Sequence, residues 1–213
     1  MNVNRFVIDG LNELKSVSIG MKSFYHDWGF VKKGSKCAIM NCNKLIEIYI
    51  GSWSINLYES FELKNLLSLI SIQLDDYALM FCHAIVFENL IQLQSIIFGY
   101  RALFGDYLTG KKNKLIMKNL PTLSLIKGRN NFMWIGKVIL ENIPLLTPDG
   151  LQFNGDYGSG DLDDIIALTV SNEVYGDNLS FYRVNEVNSL NADSLDQFIR
   201  EKSSKISGCC HII

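Results

Sequence analysis

The sequence predicts a single α+β domain over residues 1–213: antiparallel strand meanders packed around a central buried helix, with further short helices beside it. A sub-boundary near residue 110 is the one division the chain suggests. Three observations lead there. Ile46, Ile48 and Ile50 alternate with Glu47 and Tyr49, the period of a half-buried strand. Tyr77 to Phe87 is apolar nearly all round, as expected of a helix through the middle of a core. Strand-like and helix-like stretches come in blocks and not in strict alternation, which separates α+β from α/β.

Taken in chain order, Asp9 opens a first helix and residues 21–28 a second. Gly34 introduces strands at 37–40, 45–50 and 53–58, with turns at Asn41-Cys42-Asn43 and Gly51-Ser52. Ser60 and Asp75 read as N-caps of helices over 61–73 and 76–104. Short apolar runs at 115–117, 123–126 and 132–140 predict further strands. A Gly- and Asp-rich loop covers 148–161, Asp161 caps a short helix, and 179–184 fits a strand. Ser194-Leu195-Asp196-Gln197 has a capping-box pattern for a last helix. No internal repeat of fixed period stands out. The core is expected around the helix from Tyr77 to Phe98, with Phe81, Ile85, Leu93 and Ile97 buried.

Composition narrows the class. The 213 residues are 48% apolar and 20% charged with 11% aromatics, which excludes disorder and a disulfide scaffold. A net charge of −2 gives no global basic field for nucleic acid, so direct nucleic-acid binding is not expected. Residues 1–15 show no signal-peptide pattern. The five cysteines (37, 42, 82, 209 and 210) are an odd number in a chain large enough to need none. Reduced thiols and a cytoplasmic setting follow as expectations. The charge-poor stretch from 77 to 100 reads as core and not as a membrane span, because His83, Asn89, Gln92 and Gln94 interrupt it.

Chemistry-bearing patterns are sparse. Cys37 and Cys42 lack the second spaced pair of a zinc site, and no metal or cofactor is expected. His26 beside Asp27 could pair with a nucleophile elsewhere, and the Asp156–Asp164 loop could hold a hard cation; neither has a recognisable motif. Tyr157 to Asp161 does not satisfy G-x-S-x-G, and Asp156, Asp161, Asp163 and Asp164, in and beside the glycine-rich run 155–160, would repel phosphate.

Charge is strongly segregated along the chain. Residues 101–140 carry eight basic side chains against one acidic, and 141–200 carry eleven acidic against two basic. Carboxylates grouped on one surface steer a basic partner toward them. The functional expectation is therefore a non-enzymatic, immunity-protein or antitoxin-like stoichiometric inhibitor of a cognate basic toxin, a nuclease by preference. Asp156, Asp161, Asp163, Asp164 and Asp177 would supply the charge, with Tyr157 and Tyr175 as aromatic anchors. The alternatives are an effector or membrane-associated protein lipidated at Cys210, whose Cys-His-Ile-Ile ending loosely fits a prenylation signal, and an enzyme with a scattered site.

Overall fold

A computed structural model describes residues 3–26, 29, 31–105, 113–129, 131, 135, 137–146 and 150–153. Among the described residues, twelve strands make two six-stranded sheets. The first contains β1 (Arg5–Asp9), β3 (Lys32–Met40), β5 (Tyr58–Lys64), β7 (Ala84–Glu88), β9 (Lys114–Lys118) and β11 (Lys137–Glu141), in that order. The second contains β2 (Ser16–Ile19), β4 (Glu47–Ile50), β6 (Ser71–Leu74), β8 (Ser95–Tyr100), β10 (Leu125–Arg129) and β12 (Leu151–Phe153). Each pairing is parallel. The chain visits the two sheets in turn, so its described residues wind as a solenoid of six coils, each stacked on the one before.

This overturns the α+β expectation. The described residues contain no α-helix, and the strands run parallel, not in antiparallel meanders. The segments 61–73 and 76–104, expected as helices, each hold parts of two strands and the turns between them. The helix expected after Asp9 is a turn and a strand; of the one expected around 21–28, residues 21–26 form a turn and an extended connection, and 27 and 28 lie outside the described residues. Of residues 53–58, expected as a strand, 53–57 form a corner that carries the chain back to the first sheet, where Tyr58 begins β5.

A repeat does exist. Cys37, Phe61, Ile85 and Leu115 occupy one register position, and Ile39, Leu63, Phe87 and Met117 another. Each of these eight is at most 1% exposed. Leu45, Leu69, Leu93 and Leu123 fill the first turn, and Ile48, Ile72, Ile96 and Ile126 the second sheet. The core is thus a set of columns running along the solenoid, each coil adding one residue to each. No coil can bury its own apolar face; stacking does that.

Two recurring devices turn the chain. After the first strand, Asn41, Asn65, Asn89, Asn119 and Asn142 stand in the left-handed region, with φ between 53° and 57°. Asparagine tolerates that conformation better than most side chains. After the second strand, left-handed residues alternate with ordinary ones: Trp53, Ile55 and Leu57 in one coil, Tyr77, Leu79 and Phe81 in the next, Arg101 and Leu103 in the third. These are costly conformations for large side chains. Bonds between coils hold them, including Tyr77 N–H to Tyr100 C=O at 2.8 Å and Leu79 N–H to Ser54 C=O at 3.0 Å.

Of the four residues expected at the centre of the core, Ile85 and Leu93 are fully buried and Phe81 is half-buried. Ile97 is 40% exposed, because in β8 it faces outward between the inward Ile96 and Phe98. Among the described residues no helix is long and apolar enough to cross a membrane.

Candidate functional site

The corner after the second sheet brings aromatic and cationic side chains of successive coils together. Trp53 and Tyr77 hold equivalent places in neighbouring coils, and their rings stack at 4.2 Å between centroids. Tyr100 meets Tyr77 edge-on at 5.4 Å. Two guanidinium groups lie over the Tyr100 ring, Arg101 at 5.1 Å and Arg129 at 5.2 Å, and Arg101 also lies 5.2 Å from the centre of Phe104. Cation–π contacts of this kind hold the planar forks in fixed orientation along the corner.

Beside this stack a groove of about 420 Å³ runs across β8 and β10. Ile97, Tyr100, Lys127, Arg129 and Asp76 line it, with Gly99 and Gly128 at its margins. Asp76 is fixed by the Tyr100 backbone N–H, which donates to its Oδ1 at 2.7 Å. Asn131 buttresses the end of the groove from within: it is fully buried, and its Nδ2 donates to the carbonyls of Gly99 and Ala102. The groove therefore offers ring faces, two cationic side chains and one carboxylate on a backbone locked by the ladder.

The residues singled out in the sequence fall elsewhere. Asp156, Tyr157, Asp161, Asp163, Asp164, Tyr175, Asp177 and Cys210 lie outside the described residues, as does Asp27. His26 is 3% exposed and lies against Tyr58, its ring centroid 4.7 Å from the phenol. Cys37, Cys42 and Cys82 are free and buried. Burial pushes the Cys82 thiol up to about 12 and raises Cys37 as well, so neither ionises near neutral pH. No group of three or more His, Cys, Asp or Glu suited to a metal ion occurs among the described residues. Sequence reading missed the corner. Its signal was present: Trp53, Tyr77 and Arg101 recur at the step that separates Asn41, Asn65 and Asn89, and Arg101 opens the basic stretch.

Comparison with known proteins adds no relative: no family model, curated protein or solved structure matches the chain.

Proposed function

We propose that the chain is a non-catalytic recognition module whose described binding surface is the aromatic–guanidinium corner, and that it takes an acidic polypeptide segment. Solenoids present extended surfaces on a rigid ladder, and that is their usual employment. The observation that carries the reading is the placement of Lys127 and Arg129 in one groove with Tyr100, while Arg101 braces the same ring from the neighbouring corner. Guanidinium forks bind carboxylates in two-point fashion, and aromatic faces supply the anchoring area in which interface energy concentrates. Asp76 in the same groove, and a net chain charge of −2, disfavour a dense polyphosphate such as nucleic acid.

Binding to a labelled glutamate–tyrosine copolymer, followed by fluorescence anisotropy, tests this. The native chain should bind, and the Lys127→Glu, Arg129→Glu double variant should bind at least tenfold more weakly with an unchanged melt. Equal binding by both proteins would refute the corner as the site.

A second, separate reading is a stoichiometric inhibitor of a basic toxin acting through residues 156–177. The charge segregation of the sequence favours it. Its test uses a lysine–tyrosine copolymer: binding should fall when Asp156, Asp161 and Asp164 are changed to Lys, and unchanged binding would exclude it.

A further inference from the structure

We infer that the first coil is an interface for a second copy of this chain, joined edge to edge through β1 about a two-fold axis. β1 is the terminal strand of the first sheet and is bonded to β3 alone. The carbonyl of Asn4 accepts from Lys36 and the N–H of Gly10 donates to Met40, so the even-numbered residues face β3. By the alternation of a strand, the N–H and C=O groups of Arg5, Val7 and Asp9 are directed to the open edge. A free edge of this kind is a template for another strand.

The core columns are also open at this end. Phe6, Ile8, Leu14 and Phe24 are only partly buried, although the residues that continue their columns inward, such as Cys37, Ile39 and Leu45, are fully covered. Leu11 and Met21 beside them are 53% and 69% exposed. In each inner coil the layer is covered on both sides. Here one cover is missing among the described residues.

The sequence of β1 says which occupant fits. Arg-Phe-Val-Ile-Asp is self-complementary when read against itself antiparallel and centred on Val7. That register sets Arg5 opposite the partner copy's Asp9 at both ends, and Val7 opposite its own counterpart. Phe6 then faces Ile8 across the pair, on the core side of both sheets. The pairs Arg5–Asp9 and Val7–Val7 are also the ones whose backbone groups point outward, so a single register satisfies the free N–H and C=O groups, the charges and the apolar layer together. Asp9 can serve both roles: its Oδ1 accepts from Asn41 at 2.7 Å, and its second oxygen remains for a guanidinium. An edge meant for an unrelated strand has no reason to match itself at each of three positions. The pairing is isologous and closes as a dimer.

Sedimentation of the full chain across a concentration series tests the inference. The native protein should shift to twice its 24.1 kDa as concentration rises. Val7→Pro removes only an outward N–H, and Arg5→Glu sets two carboxylates opposite each other; both should sediment as monomers with β1 still folded. Arg5→Glu with Asp9→Lys restores opposite charges across the two-fold axis and should recover the dimer. A native chain that stays monomeric throughout, or a dimer indifferent to Val7→Pro and Arg5→Glu, would overturn the proposal and leave this edge to a different occupant. A dimer lost in Arg5→Glu but not recovered in the charge swap would overturn the register.

Discussion

The side chain of Asn89 donates from Nδ2 to Oδ1 of Asn65 at 2.8 Å, and Asn65 in turn donates to Asn41 at 2.9 Å. Asn119 and Asn142 extend the chain of bonds in one direction, and Asp9 ends it in the other. Each asparagine thus fills two needs, a left-handed backbone at the turn and a bond to each neighbouring coil. Along this ladder the amides share one orientation, so each bond favours the next.

Replacing Asn65 separates those needs. Asn65→Ala loses both side-chain bonds and strains the backbone, and should cost about 1–3 kcal/mol of unfolding free energy. Asn65→Gly loses the bonds but accepts the positive φ, so it should be less damaged, by about 1 kcal/mol. Urea denaturation of the pair decides this. Equal losses would mean that φ at this position contributes nothing.

Gly51 lies where a Cβ would come within 2.8 Å of the Met21 backbone nitrogen and 2.9 Å of the Gly20 carbonyl carbon. Backbone cannot step aside as a flexible side chain can. Gly51→Ala should therefore destabilise by about 1–3 kcal/mol, whereas Gly34, whose Cβ would meet open space, answers only for its positive φ. Thermal melts of the two alanine variants compare a clash with a conformational cost.

Glu62 faces outward from β5 between Lys36 at 2.8 Å and Lys64 at 3.2 Å. Partial burial raises its carboxyl, but the bonds and charges of the two ammonium groups outweigh this and hold it below the usual range. In the unfolded chain it titrates near the ordinary value of about 4.3. A lowered folded-state value contributes stability that is complete above the unfolded value and is lost as pH falls through the folded one. Glu62→Gln should flatten the decline in stability below about pH 4. Parallel declines in variant and native protein would show that the triad does not stabilise the fold.

Buried thiols should resist alkylation. Iodoacetamide at neutral pH is expected to leave Cys37, Cys42 and Cys82 unmodified in the native protein and to label all three in urea, read by peptide mass mapping. Because folding raises the Cys37 and Cys82 values, their contribution to stability holds below the ordinary thiol pKa of about 8.5 and is lost as pH rises beyond it. Native-state labelling of Cys82 would contradict its place in the core, where its Sγ reaches the Ile55 carbonyl at 3.1 Å.

Local periodicity was legible and its global meaning was not. The alternation of Glu47, Ile48, Tyr49 and Ile50 reads as a strand and is one, β4. Ile46, grouped with the inward residues, stands before the strand and is 43% exposed. Turns at 41–43 and 51–52 lie where the residues place them, yet in a solenoid a turn changes sheet and does not reverse the strand. Hairpins and coils share the same local pattern, and register between coils is what tells them apart. The asparagine steps are 24, 24, 30 and 23 residues, so the repeat has no fixed period to catch the eye. The apolar stretch from Tyr77 to Phe87 resembled a helix because a corner and the following strand are both buried, one after the other. At the corner, the basic stretch was legible as charge but not as a site, since Tyr100, Lys127 and Arg129 meet only when the coils stack.

The corner, the ladder and the open edge of β1 all require coils stacked in chain order with parallel register. Paired spin labels at Ser18 and Lys127 measure that directly, on a background in which the native cysteines are alanine. Both residues are exposed and stand in one outward row of the second sheet, which passes through Tyr49, Gln73 and Ile97. Four steps between parallel strands at about 4.8 Å each place their backbones roughly 19 Å apart. A single narrow distance distribution near that value, allowing for the label arms, is the expected result. A broad distribution, or a distance far from it, would contradict the solenoid and everything built on it.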